Sequence, residues 1–211
     1  MRCSVVNTAV FDIELRSVIN LEVAGVSRYA RDPSTEILCV GYAIDDGKPK
    51  IWKPGDPLPN DLFAADEFVA HNFPFERSIW THILTSRHDW PAIPPLSKQR
   101  CTMTMALAAA LPAALDNLAK ALDLPFNKDV EGYRLMRKMS RPRRPYKDED
   151  RTASTGSTGW NCASVSTSTA SMTSRLNAPL IAACLRCRPR SKCCGSWMRS
   201  STSAEFSPTS R

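Results

Sequence analysis

The stretch NTAVFDIEL, residues 7–15, decides the fold class. A β-branched run that alternates apolar with polar residues is typical of a strand with one buried face and one functional face. Because successive side chains of a strand point to opposite faces, Asp12 and Glu14 leave the same face. The stretch therefore predicts a strand that carries two neighbouring carboxylates.

The pattern that follows predicts strands first and then alternating strands and helices. A hairpin turn is predicted at DDGK (45–48), and the three prolines of WKPGDPLPND (52–61) exclude regular pairing there. Further strands are predicted at 36–45, 48–52 and 67–72, and helices at about 74–87, at 102–124 on either side of Pro112, and at 131–140. This order predicts an α/β fold with a mixed sheet flanked by helices.

Charge divides the chain near residue 150. Residues 151–211 hold eight basic side chains and one acidic side chain, so they carry the whole net charge of +7, while residues 1–150 have 20 of each sign. Ser and Thr number 14 in the first 150 residues and 22 in the last 61. A basic chain normally points to a nucleic-acid or membrane partner, but here that inference depends on the tail alone. We predict an ordered region, 1–150, and a disordered tail, 151–211.

The N-terminal sequence lacks the apolar segment of a signal peptide, and no run approaches 18 apolar residues. Cys3, Cys39 and Cys101 are scattered in apolar surroundings, as is typical of buried thiols in a reducing compartment. We expect a cytoplasmic protein without a membrane partner. Nothing in the sequence points to a protein partner.

Two carboxylates on one strand have a structural and a functional interpretation. Alone, they most often mark a solvated strand end, whereas together with a further ligand they suit Mg²⁺, which prefers oxygen donors. The stretch AHNFPFER (70–77) supplies such a candidate, since Glu76 follows a predicted strand end in the first turn of a helix. An α/β layer can bring that turn against the first strand. By itself Glu76 would be an ordinary acid that complements the helix dipole.

Three segments in this order, FDIE, AHNFPFER and KALDLPFNKDVEGYRLMRKMSRPRRP, resemble a known family. They are similar to the 3′–5′ exonuclease domain of phage and prophage family-A DNA polymerases, which has a ribonuclease-H-like fold. The resemblance covers residues 8 to 150. It implies a metal-dependent proofreading exonuclease with Mg²⁺ or Mn²⁺ as cofactor and the single-stranded 3′ end of DNA as partner.

The resemblance also implies roles for individual residues. Asp12 and Glu14 correspond to the family's first pair of catalytic metal ligands, and Glu76 stands where the family usually has Asp. Asn72 and Phe75 occupy the rest of that second motif on the substrate side. Arg77, next to Glu76, is a candidate phosphate contact. The family's third motif, Tyr, three residues and Asp, is missing, because residues 151–211 contain neither Tyr nor Asp.

The missing motif can be recovered by reading the tail in another frame. Met172 is encoded by ATG and Thr173 by ACN, so a codon that begins at the last base of the Met codon is GAC, which encodes Asp. Codons for Ser168 and Thr169 permit TAC, a Tyr four residues earlier. The opposite shift gives TGA, a stop. We therefore expect that the family sequence is cut short and continues out of frame after about residue 150, and that the chain is inactive or nearly so.

Two other interpretations of the tail stay open. A basic, disordered tail can bind nucleic acid non-catalytically through counterion release. Four cysteines could instead hold zinc, namely Cys184, Cys187, Cys193 and Cys194. Of these, Cys193 and Cys194 are adjacent, which is a poor spacing for a zinc ribbon.

Overall fold

The computed structural model describes residues 6–123 together with Arg134 and Ser140. The strands are β1 (Thr8–Arg16), β2 (Glu36–Ile44), β3 (Lys50–Trp52), β4 (Glu67–Ala70) and β5 (Gln99–Cys101). The helices are α1 (Leu21–Arg31), α2 (Asn60–Phe63), α3 (Phe73–Ile79), α4 (Thr85–Arg87), α5 (Thr102–Ala108) and α6 (Leu115–Ala121). A π-helical turn, Trp80–Leu84, joins α3 to α4, and a 3₁₀ turn, Leu96–Lys98, precedes β5.

The five strands form one sheet in the order β3-β2-β1-β4-β5. β1 pairs antiparallel with β2, and β2 with β3, while β4 pairs parallel with β1 and with β5. β2 and β3 form a hairpin, whereas α1 lies between β1 and β2 and the parallel strands are connected through helices. The α/β fold with a mixed sheet flanked by helices is thus confirmed, and it is consistent with a ribonuclease-H-like fold.

Among the described strands, the two neighbours of β1 cover different lengths of it. β1 pairs with β2 over most of its length, from Ala9 to Arg16, but it pairs with β4 only from Thr8 to Val10. Residues 12–16 therefore extend past the carboxyl end of β4, which ends at Ala70. In open α/β sheets the crevice outside the carboxyl ends of parallel strands is where ligands bind.

The main core lies on the sheet face that Phe11, Ile13 and Leu15 share. Trp80 is completely buried at its centre, and its ring centroid lies 5.5 Å from that of Phe11 and 4.9 Å from that of Trp90. Such edge-to-face aromatic pairs add to the free energy of burial. A second, smaller cluster lies between α5 and α6 around Ala106, Leu118 and Ala119.

Several predicted boundaries differ from the structure. β4 ends at Ala70 rather than at residue 72, because residues 71 and 72 form the turn into α3. The predicted helix at 74–87 is present but includes the π-helical turn. α1 was not predicted, since Gly25, at φ 72°, breaks its helical geometry and Val23 is exposed. β5 was not predicted because it has only three residues, and two of them are polar.

Three predictions fall outside the described residues. They are the helix at 131–140, except for Arg134 and Ser140, the boundary near residue 150, and the tail 151–211. Within the described part of the chain, no helix combines the length and the apolar character needed to cross a membrane.

Candidate functional site

Asp12 and Glu14 lie on the same face of β1, as the alternation predicted. Both are partly exposed, whereas Phe11, Ile13 and Leu15 between and beside them are buried on the opposite face. In the register with β2, Asp12 lies opposite Gly41 and Glu14 opposite Cys39. Both carboxylates therefore lie on the part of β1 that extends beyond β4.

The turn between β4 and α3 presents the third carboxylate. Asn72 adopts a left-handed backbone conformation, with φ 63° and ψ 49°, which Asn tolerates better than most residues. Its carbonyl oxygen accepts a hydrogen bond from the Phe75 N–H at 2.9 Å, and a proline follows at the start of the helix, where its missing N–H costs nothing. The chain therefore reverses at the carboxyl end of β4 and enters α3 with Glu76 in its first turn.

Glu76 is almost completely buried, with only 3% of its surface exposed. Its carboxylate accepts a hydrogen bond from the backbone N–H of Ile13, on β1. The second carboxylate oxygen, Oε2, is buried and has no hydrogen-bond partner. A buried, unpartnered carboxylate oxygen is costly, so this atom marks a place where a ligand would lower the free energy of the protein.

The three carboxylates influence one another electrostatically. Burial raises the pKa of Glu76 well above its usual value, and the negative charges of Asp12 and Glu14 raise it further, while the hydrogen bond from Ile13 opposes the shift. Burial also raises the pKa of Asp12, from 3.8 to about 6. Like charges that face one another in a poorly solvated site disfavour ionisation. The sequence-predicted residues Asp12, Glu14 and Glu76 are therefore brought to one site.

The donor chemistry of this site fits a hard divalent cation. All three side chains offer carboxylate oxygens, which Mg²⁺ and Mn²⁺ prefer, and the buried Oε2 of Glu76 lacks any partner. Among the residues that the structure describes, no group of three or more His, Cys, Asp or Glu side chains is arranged so that it could hold a metal ion. Binding of a divalent cation by these carboxylates is therefore a matter for the proposal below.

Asp12, Glu14 and Glu76 are called the carboxylate cluster below, and the other predicted site residues are close to Glu76 in the sequence. Phe75 is half-buried, and its ring centroid lies 6.4 Å from that of Tyr29 on α1. The Asn72 side chain makes no capping hydrogen bond to α3. Arg77 points toward β5, where its Nη2 donates a hydrogen bond to Gln99 Oε1, and its buried Nε has no partner. The Arg77 guanidinium is thus held in part by the protein itself.

His71, directly before Asn72, has a hydrogen-bond partner at each ring nitrogen, as expected for a satisfied histidine at a strand end. His71 Nδ1 lies 3.0 Å from Thr102 Oγ1, and His71 Nε2 lies 2.9 Å from the carbonyl oxygen of Ala113. Burial lowers the pKa of this histidine. The sequence carries no signal for the contact, because Thr102 and Ala113 are 31 and 42 residues away.

No family model matches the chain. The chain is 36% identical over 147 residues to the DNA polymerase of Bacillus phage SP02, an alignment that covers 66% of this chain and 22% of that polymerase. The chain thus spans about a fifth of the length of that relative. It contains a region related to a phage DNA polymerase.

Proposed function

We propose that this region is a metal-dependent 3′–5′ exonuclease module that acts on the single-stranded 3′ end of DNA. The single observation that carries the proposal is the buried Glu76 Oε2, which has no partner and belongs to a residue that faces Asp12 and Glu14. A polymerase relative and three converging carboxylates together favour phosphodiester chemistry over a purely structural role. Proofreading of DNA synthesis is the corresponding biological role.

Asp12, Glu14 and Glu76 would hold the cations, because they supply only oxygen donors at one site. Divalent ions bound there would neutralise the charge that develops on the oxygens at phosphorus. In Glu76 the side chain is one methylene longer than Asp. Its hydrogen bond from Ile13 anchors one oxygen on β1 and leaves the other oxygen for a ligand.

Asn72, Phe75 and Arg77 would contact the DNA. The half-buried Phe75 ring offers an aromatic surface against which a base can stack, and stacking of this kind tolerates any sequence. The side chain of Asn72 makes no capping hydrogen bond and so has capacity to bind substrate. Arg77 is next to the carboxylate cluster and could pair with a phosphate once its bond to Gln99 is exchanged.

We further propose that the chain as translated has little activity. The resemblance places a Tyr and a last carboxylate in the region where residues 151–211 have neither Tyr nor Asp. A frame change after about residue 150 would explain why both are missing, since in the other frame the codons of Met172 and Thr173 encode Asp.

The test is degradation of 3′-labelled single-stranded DNA with Mg²⁺ or Mn²⁺, using the full chain and a second chain translated in the other frame after residue 150. We expect trace activity in the first and clear activity in the second. Asp12→Asn should abolish that activity, and Asp46→Asn, in the exposed turn between β2 and β3, should retain it. A different result would indicate a non-catalytic binding protein. Neither chain would then cleave DNA, and the full chain would bind DNA in a salt-dependent manner that is lost when residues 151–211 are deleted.

The nucleotide sequence around codons 148–175 tests the frame hypothesis separately. A Ser168 codon of TCT or AGT, followed by any Thr codon, gives the expected Tyr in the other frame. Any other Ser168 codon gives no Tyr there, and the recovered motif would be lost.

A further inference from the structure

The side chain of His71 connects the turn that presents Glu76 to α5 and to the segment before α6. β4 and β5 are parallel, and their last paired residues are Ala70 and Cys101. The next residues along each strand are His71 and Thr102, and their side chains are hydrogen bonded at 3.0 Å. The hydrogen bond therefore continues the pairing of the two strands beyond the end of their backbone ladder.

The second contact of the imidazole places a proton on Nε2. A backbone carbonyl oxygen can only accept, so His71 Nε2 must carry the proton that it donates to Ala113 at 2.9 Å. In the neutral ring Nδ1 is then an acceptor, and the Thr102 hydroxyl donates to it. Thr102 is buried, with 1% of its surface exposed, so water does not readily replace this partner.

The position of this contact bears directly on the carboxylate cluster. His71 is followed by Asn72, whose left-handed conformation sets the direction of α3, and the side chain of Asn72 does not cap the helix. Glu76 lies in the first turn of that helix and must reach the Ile13 N–H on β1. Any rotation of the turn would move Glu76 relative to Asp12 and Glu14.

We propose that His71 is a positioning residue for the carboxylate cluster. Its imidazole joins the turn between β4 and α3 to the first residue of α5 and to the segment before α6, and so holds Glu76 toward β1. The inference rests on the proposed metal-binding function of the carboxylates. It adds a role for α5 and α6, whose small core around Leu118 otherwise lies apart from the site.

Two substitutions at Thr102 separate positioning from packing. Thr102→Val keeps the shape of the side chain and removes the hydroxyl, whereas Thr102→Ser removes a methyl group and keeps the hydroxyl. In the full chain, we measure the Mn²⁺ concentration that gives half of the cation-induced rise in melting temperature. Thr102→Val should raise that concentration about three- to tenfold, the effect of losing one hydrogen bond, and Thr102→Ser should leave it near the wild-type value.

Melting temperatures without metal serve as the comparison for stability, and we expect both variants to melt lower than the wild type. Equal Mn²⁺ midpoints for the Val and Ser variants would overturn the positioning role. If the wild type itself shows no saturable Mn²⁺ effect, the proposed function fails instead, so the two failures are distinguishable. The ¹⁵N spectrum of the His71 ring gives an independent check, and a ring protonated on Nδ1 rather than on Nε2 would also overturn the inference.

Discussion

Glu76 and Trp80 are two of the buried residues in the helical segment from Phe73 to Arg87. They lie about one turn apart, and their surroundings differ in kind. Trp80 is surrounded by aromatic rings, and its Nε1–H donates a hydrogen bond to the Pro91 carbonyl oxygen at 2.9 Å. Glu76 is nearly as well buried, but it faces two further carboxylates and leaves Oε2 without a partner.

Of these two residues, Trp80 stabilises the fold and Glu76 does not. Burial of an aromatic ring with a satisfied N–H lowers the free energy of the folded state, while burial of an acid among acids raises it. The Trp90 Nε1–H is also buried without a partner, but it is neutral, so its cost is smaller than that of a charge. A group that destabilises its own surroundings is a candidate for function rather than for folding.

The largest expected effect concerns the aromatic side of the comparison. Trp80→Ala should lower the free energy of unfolding by about 3–5 kcal/mol, because it removes the ring at the centre of the main core. Chemical denaturation measures the loss. Leu107→Ala, in α5, is the control, since Leu107 is 56% exposed and its loss should change stability by less than about 0.5 kcal/mol. Similar losses for both variants would contradict the assignment of the core.

Glu76 should respond in the opposite direction. At pH 8 with chelator present, Glu76→Gln should raise the free energy of unfolding by about 1–3 kcal/mol, because it replaces a buried acid, whose ionisation Asp12 and Glu14 oppose, with a neutral group that keeps an acceptor for Ile13. Glu22→Gln, at an exposed position in the first turn of α1, should have an effect below about 1 kcal/mol. A Glu76→Gln variant that is less stable than the wild type would show that its carboxylate supports the fold.

A smaller effect is expected in the pH dependence of stability, to which the ionisation of Asp12 contributes. Its pKa is raised from 3.8 to about 6 in the folded protein, so the folded state binds more protons than the unfolded state between these values. Stability therefore falls as pH rises from about 4 to 6 and levels off above. In chelator, the free energy of unfolding of Asp12→Asn relative to that of the wild type should increase by about 1–2 kcal/mol as pH rises across this range. Because Asp12 is partly exposed, this value is smaller than the full pKa shift would give. A constant difference between the two proteins would contradict the raised pKa.

The smallest effect is expected for an exposed ion pair. Arg16 Nη2 and Glu36 Oε2 lie 2.5 Å apart, but their side chains are 39% and 52% exposed. Glu36→Gln should lower the free energy of unfolding by less than about 1 kcal/mol, and high salt should reduce the difference. If Glu36→Gln lowered the free energy of unfolding as much as Trp80→Ala does, this surface ion pair would contribute as much to stability as the buried core residue.

Local patterns were sufficient to predict the elements that form the site. The alternation in β1 placed Asp12 and Glu14 on one face, and the strand end before α3 placed Glu76 near them. The relation of Glu76 to Ile13 could not be predicted, because it depends on the register that leaves β1 longer than β4. The contact of His71 with Thr102 is also tertiary, since it arises only when β4 and β5 are adjacent.

The central claim is that the carboxylate cluster holds a divalent cation, and calorimetric titration of the full chain with Mn²⁺ tests it most directly. We expect saturable binding to the wild type at neutral pH. Glu76→Gln should lose that binding although it is the more stable protein in chelator, so the loss cannot come from unfolding. Equal Mn²⁺ binding by the wild type and by Glu76→Gln would contradict the account.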